Sequence, residues 1–346
     1  MKIVEIGPYK IGTGSIPVVI AEAGINHNGD IEIAKEMVHA AKEAGADIIK
    51  FQTHIAEAEM LKEKSLSGDA GSHVTSSLYE IMSKCSLSMQ DHVDLMGEAD
   101  KIGILFLSTP FSIEAVALLE KIGIVAYKIG SGEVTNTPFL KYVAAKGKPI
   151  ILSTGTATWE EVCRAVETIK TEVSEIILMQ CTSNYPTAYE NVNLGILDKM
   201  IEHFNIPVGL SDHCIGNYAC FGAVARGASV VEKHFTLSRS LPGIDQKSSI
   251  EPHELKDLVK GVKAIALALG DKKELNDEAK KVRYGFSESI VTIAPIKKGE
   301  EFKERINVWV KRPGSGIPSY ELYNIIGKHA LRNLPQDYML KPEDII

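Results

Sequence analysis

Short apolar runs recur along the first 270 positions of the chain, separated by stretches in which apolar residues return every third or fourth place. The runs fall at 17–23, 46–52, 104–108, 126–129, 149–153, 175–180, 207–210 and 229–232, and each predicts a strand. Helical periodicity marks 31–44, 113–121, 159–170 and 254–269, and an Ala/Gly-rich helical stretch spans 217–227. Continuous apolar strands alternating with amphipathic helices describe a parallel sheet covered on its outer face. Eight such units over about 255 residues match the length of a (β/α)8 TIM barrel. The competing layout is a doubly wound open sheet. It would place a Gly-rich phosphate loop after its first strand, and Gly24-Ile-Asn-His-Asn-Gly29 makes a poor one.

Beyond Leu269 the pattern changes. Residues 270–281 are polar and charged, and 287–346 return to short strands and turns, with strand runs at 289–293 and 307–310. The expected organisation is a catalytic domain over 1–272, a partly helical linker over 273–286 and a small β-rich domain over 287–346. A module of that size is marginal alone and is expected to lean on the barrel or on a partner subunit.

Composition narrows the function classes. With 45% hydrophobic and 24% charged residues the chain reads as an ordinary globular protein. No apolar run reaches the roughly 20 residues of a bilayer span, and the N-terminus lacks the build of a signal peptide. Five cysteines without CxxC spacing point to free thiols and a cytoplasmic location. The formal charge of −7 argues against a nucleic-acid partner, so an anionic substrate would need locally placed Lys and Arg.

Polar groups close nearly every predicted strand. They are Glu22; Lys50 and Gln52; Ser108 and Thr109; Lys128, followed by Ser131 and Glu133; Ser153 and Thr154; 182–185; 211–213; and 232–234. A single Ser or Thr after a strand is commonly a helix N-cap, as expected for Ser112 and Thr158. Eight consecutive polar strand ends are better explained by an active site at the C-terminal mouth of a barrel. Two of the strands end in histidine, at Val208-Gly-Leu-Ser-Asp-His213 and Ser229-Val-Val-Glu-Lys-His234. Their strand–helix–strand spacing makes them parallel neighbours, with both imidazoles on one rim. With Asp212 and Glu232 beside them, they suit a divalent metal. Lys50, Lys128, the hydroxyls of Thr109, Ser131, Ser153 and Ser211, and amides near Gly130 suit a phosphate or carboxylate. A phosphate site beside a Lewis-acid site fits the joining of a phosphorylated enol to a carbonyl. Other aldolase-like or phosphate-releasing reactions remain open on these residues alone.

The motifs Ile20-Ala-Glu-Ala-Gly-Ile-Asn-His-Asn-Gly29, Phe106-Leu-Ser-Thr-Pro-Phe111, Ala126-Tyr-Lys-Ile-Gly-Ser-Gly-Glu133, Ile151-Leu-Ser-Thr-Gly155, Cys181-Thr-Ser-Asn-Tyr-Pro186, Gly209-Leu-Ser-Asp-His213 and Glu232-Lys-His-Phe235 occur in order. Together they resemble the sialic acid synthase family. The tail around Trp309-Val-Lys-Arg-Pro-Gly314 is similar to that family's C-terminal antifreeze-like (SAF) module. The resemblance implies condensation of phosphoenolpyruvate with N-acetylmannosamine and water to give N-acetylneuraminate and phosphate. A 6-deoxy-diacetamido-hexose leading to N,N'-diacetyllegionaminate is the close alternative. A non-enzymatic carbohydrate- or ice-binding protein is the alternative of another class, and the charged tail, with Glu300, Glu301, Lys303, Glu304 and Arg305, speaks against an ice surface. The resemblance further implies manganese or magnesium on His213 and His234 with Glu232 near its waters, and Glu22 acting on the attacking water. It places Lys50, Thr109, Lys128, Ser131, Ser153, Asn184 and Ser211 on phosphoenolpyruvate, and Gln52, Phe111, Glu133, Tyr185 and Asp245 around the sugar. Arg312 would reach the N-acyl group from a partner subunit, which implies a domain-swapped homodimer. Residues 56–80 match no substrate contact.

Overall fold

The computed structural model describes residues 2–62 and 77–346, so part of the 56–80 stretch lies outside the described residues. By its internal contacts the chain divides into two units, Met1–Gly270 and Asp271–Ile346.

The first unit begins with an antiparallel hairpin of β1 (Val4–Ile6) and β2 (Tyr9–Ile11), which the hydrophobic pattern did not reveal because three-residue strands carry too little periodicity. Eight parallel strands follow: β3 (Val18–Gly24), β4 (Ile48–Thr53), β5 (Leu105–Pro110), β6 (Tyr127–Ile129), β7 (Ile150–Ser153), β8 (Ile176–Cys181), β9 (Val208–Asp212) and β10 (Val230–His234). Their hydrogen-bonded order is β5-β4-β3-β10-β9-β8-β7-β6, and the two outer strands of that order, β5 and β6, lie against each other. The sheet therefore curls into the expected barrel. Every residue of β3, β7, β8, β9 and β10 is buried, as strands covered on both faces require.

Local chemistry sets the helix ends. Asp30 accepts from Glu32 N and Ile33 N to start Ile31–Ala44, and Gly45, at φ 89°, ends it. Ser112 caps Ile113–Ile122 and Thr158 forms a capping box at the start of Trp159–Lys170, the roles expected for them. Helix Tyr218–Ala225 joins β9 to β10, so the two histidine-ending strands are parallel neighbours. None of the described helices is long and apolar enough to cross a membrane, and all five cysteines are unpaired.

The second unit opens with helix Asp277–Phe286, which fills most of the segment expected to be a linker. Strands β11 (Ser289–Thr292) and β12 (Val308–Lys311) then pair antiparallel. Its own apolar core contains Ile290, Phe302, Val308, Leu322 and Leu340, all nearly inaccessible to water.

Candidate active site

Side-chain alternation along the strands decides what the barrel mouth contains. A cavity of ≈ 140 Å³ is lined by Glu22, Lys50, Gln52, Thr109, Phe111, Lys128, Ser131, Ser153, Tyr185, Ser211, His213, Glu232 and His234, together with Gly130, Cys181 and Ser183. That volume is below the 300–1,000 Å³ usual for drug-sized ligands, so it suits one small ligand, with any larger partner reaching outward.

At the centre lies a cluster of four buried charges. Lys50 Nζ is 2.5 Å from Glu22 Oε2 and 3.8 Å from Glu232 Oε1, and it donates to Thr109 Oγ1 at 3.0 Å. Lys128 Nζ donates to Ser153 Oγ at 2.7 Å and is 3.5 Å from Glu232 Oε1, which also accepts from Ser211 Oγ at 3.2 Å. Burial alone would raise both carboxyl groups. Around Glu232 the ammonium groups of Lys128 and Lys50 and the two imidazoles outweigh it and hold the group down to about 2. At Glu22 burial wins over the attraction of Lys50, helped by repulsion from Glu232, and the carboxyl is raised. Two neighbouring carboxyls thus have their proton affinities driven apart, the usual sign of divided acid and base roles. Burial also lowers Lys128.

Glu22 owes its position to a bulge. The β3–β4 register passes from Glu22↔Lys50 to Gly24↔Phe51, with Gly24 at φ 54°. A Cβ there would stand 3.4 Å from both Glu22 Oε1 and Gln52 Nε2, so a side chain would be strained and would crowd the site. Gly155 is equally constrained: its N–H donates to Ser131 Oγ at 2.8 Å, and a Cβ would come within 2.8 Å of Cys181 Sγ.

The two imidazoles stand 5.3 Å apart, centroid to centroid, and Tyr185 packs on both, at 4.1 Å from His213 and 5.6 Å from His234. His213 Nδ1 is 2.9 Å from the carbonyl oxygen of Thr182, which leaves Nε2 as the nitrogen available to a ligand. Burial lowers His234 to about 4, so this imidazole is neutral near pH 7, and its Nδ1 has no hydrogen-bond partner. Glu232 Oε2 is also buried without one. His213 is instead raised, because Cys181 and the Thr182 carbonyl oxygen outweigh its burial. The two imidazoles and an orphaned carboxylate oxygen fit a divalent cation that completes its shell with water or substrate oxygens. Among the described residues, however, no three His, Cys, Asp or Glu side chains converge as a ready-made metal cage. Asp212 does not stand with the imidazoles, as the sequence reading supposed. It alternates to the outer side of β9 and pairs with Lys233.

Other expected residues lie at or beyond the edge. Asp245 Oδ2 is 3.9 Å from His234 Nδ1, too far for a direct hydrogen bond. Glu133, in the turn Ser131–Glu133, accepts from Asn136 Nδ2 at 2.6 Å and is raised by burial. Asn184 is exposed and its carbonyl oxygen accepts from Thr187 Oγ1 at 2.7 Å. Neither Glu133, Asn184 nor Asp245 lines the cavity. Arg312 belongs to the second unit, where its guanidinium lies 5.3 Å from the centre of the Phe286 ring.

Sequence reasoning missed a buried network behind Glu22. Gln52 Nε2 donates to Glu22 Oε1 at 2.9 Å, and Gln52 Oε1 lies 3.0 Å from His54 Nε2. His54 Nδ1 lies 2.9 Å from Glu59 Oε2, and the ring stacks on Phe111 at 4.3 Å. His54 lies just past the end of β4, where a strand-end reading stops. Only the alternation Lys50, Gln52, His54 along one face could have flagged it. Cys181, the last residue of β8, is a free thiol as expected, and it also lines the cavity.

A (β/α)8 barrel with buried lysines, carboxylates and imidazoles gathered at its C-terminal mouth has the layout of the enzymes built on this fold. The sequence profile of the NeuB family matches residues 37–274, and that of the SAF domain matches 287–346. The chain belongs to the NeuB family of sialic acid synthases. It is 39% identical over 331 residues to the N,N'-diacetyllegionaminic acid synthase of Legionella pneumophila, covering 93% of both chains. It is 38% identical over 330 residues to a pseudaminic acid synthase of Campylobacter jejuni, covering 94% of this chain and 96% of that one. The structure of an N-acetylneuraminic acid synthetase from Leptospira borgpetersenii superposes with a TM-score of 0.74 at 33% identity, over 81% of this chain and 95% of the other.

Proposed function

We propose that this enzyme condenses phosphoenolpyruvate with an N-acylated amino sugar and water, releasing phosphate and a nine-carbon 2-keto acid. The observation that carries the reading is the four-charge cluster. Lys50 and Lys128, flanked by Thr109, Ser131, Ser153 and Ser211, offer donors to a phosphate and a carboxylate, while Glu22 is raised beside them. Glu22 takes the proton of the water that adds to C2 of the enol, and Lys50 at 2.5 Å steadies the charge as it moves. A divalent cation, manganese or magnesium, held by His213 and His234 with Glu232 nearby, would supply Lewis-acid polarisation of the sugar's carbonyl oxygen. Gln52, Phe111 and Tyr185 form the outer wall against which the sugar packs, with Glu133, Asn184 and Asp245 at the rim. Arg312 of a second copy closes the sugar site in a domain-swapped homodimer.

The motif resemblance taken alone points to N-acetylmannosamine and N-acetylneuraminate. Identities of 39% with the diacetyllegionaminic and 33% with the N-acetylneuraminic relative favour the diacetamido sugar instead. Phosphate release from phosphoenolpyruvate, measured with a panel of N-acetylated hexoses and 6-deoxy-diacetamido-hexoses, tests both levels. Release with the diacetamido sugar at the highest kcat/KM is expected. Release with N-acetylmannosamine alone would restore the first reading, and none with any sugar would sink the function.

A further inference from the structure

The outer face of β9 and β10 contains an ion pair that the proposed chemistry does not use. Lys233 and Asp212 are direct neighbours in the β9–β10 register, their charged atoms are 2.5 Å apart, and their side chains are 0% and 1% exposed. Lys233 Nζ also donates to the carbonyl oxygen of Cys214. Asp212 Oδ1 accepts from Cys214 N at 3.0 Å, and Asp212 Oδ2 accepts from Cys220 Sγ at 3.5 Å.

The places of these atoms matter. His213 lies between Asp212 and Cys214, and Lys233 holds both neighbours, one by its side chain and the other by its backbone. Lys233 itself lies between Glu232 and His234 on the next strand. One ammonium group therefore ties down the chain on either side of one imidazole while sitting beside the other. A buried ion pair is a poor device for stability, because apolar side chains of similar volume usually serve as well or better. The directed bonds of this pair, to each other and to Cys214, fix one geometry for the two strand ends.

We propose that Lys233, anchored on Asp212, is a positioning residue that sets the spacing and aim of His213 and His234. It touches no reacting atom and acts through the two strand ends. This inference rests on the reading of the barrel mouth as a phosphoenolpyruvate-dependent synthase site.

The test is the double variant Lys233→Met/Asp212→Asn, which removes both charges together and leaves no ion buried alone. Its thermal midpoint should stay within about 4 °C of the wild type. Its kcat should fall by about 10- to 100-fold, the usual cost of losing a support behind a histidine ligand, with KM for phosphoenolpyruvate changed by less than about threefold. A crystal structure of the variant should show the imidazole centroids displaced from their 5.3 Å separation. Imidazoles that keep that separation overturn the proposal whatever the rate, as does a folded variant with wild-type kcat. Should the double variant not fold, Lys233→Met/Asp212→Leu, which also leaves no ion buried alone, is read in the same way. If wild-type protein releases no phosphate from phosphoenolpyruvate, the functional reading fails, while the imidazole separation still decides the role of Lys233.

Discussion

At the barrel mouth, Glu22, Lys50, Lys128 and Glu232 are each 5% exposed or less, and each lies within 4 Å of an opposite charge. In residues 271–346 the picture is reversed: among the described residues Asp344 is the one buried charged side chain, and its partner Arg332 is 54% exposed. The same chain follows two rules. The second unit is held by an apolar core, and its charges stay where water solvates them. The barrel takes ions out of water at a cost of several kcal/mol each after relaxation, and recovers that only through tight pairing. A large, fully covered sheet offsets such a cost more readily than a 76-residue unit does, and perturbed buried charges of this kind gather at functional sites more often than elsewhere.

The sharpest way to break this contrast is to remove the chemistry. Glu22→Ala, His213→Ala and His234→Ala should each lower turnover by about a thousandfold or more. Glu22→Ala should leave phosphoenolpyruvate binding measurable by calorimetry, since Glu22 is assigned to water rather than to the phosphate. Turnover that survives in either histidine variant, or in wild type with a chelator present, would remove the metal role. On the other side, Ile290→Ala in the apolar core of the second unit should cost about 2–5 kcal/mol of stability in denaturant titration. A loss under 1 kcal/mol would mean that core is not what holds the unit together.

A finer probe is His54→Ala. It cuts the Glu59–His54–Gln52 chain and leaves the Gln52 amide free to turn away from Glu22. We expect kcat to fall about tenfold with KM for phosphoenolpyruvate unchanged. The smallest effect concerns pH. Glu232 is held at about 2 against an ordinary 4.5, so the unfolded chain takes up this proton first as acid is added. Its contribution to stability is complete above about pH 4.5 and is lost as the pH falls through about 2. Glu232→Gln should therefore flatten the slope of melting temperature against pH within that window. An unaltered slope would show that the two lysines do not hold Glu232 down.

Much of this arrangement was legible in the sequence, for a physical reason. Strands buried on both faces leave uninterrupted apolar runs, and all eight barrel strands lie within two or three residues of those runs. The polar residue that ends each run had to lie at one rim, which gathered thirteen of the proposed site residues and Glu232 among them into one cavity. Reasoning failed where contiguity in the motif was taken for contiguity in space. Asp212 was set beside His213 although strand alternation sends it to the opposite face. The link from Gln52 to His54 and Glu59 was missed because it runs past the end of the strand. Arg312 carries no local signal at all, and its role comes from resemblance alone.

The four-charge cluster has a consequence for the thermodynamics of ligand capture. Lys50 and Lys128 face Glu22 and Glu232. An anion that draws those ammonium groups toward itself weakens the main influence opposing the burial of Glu22. Its affinity for a proton must then rise further, and binding should be accompanied by proton uptake from solution. The heat of phosphoenolpyruvate binding would then vary with the ionisation enthalpy of the buffer. Glu22 would have to release that proton before it could accept one from the attacking water.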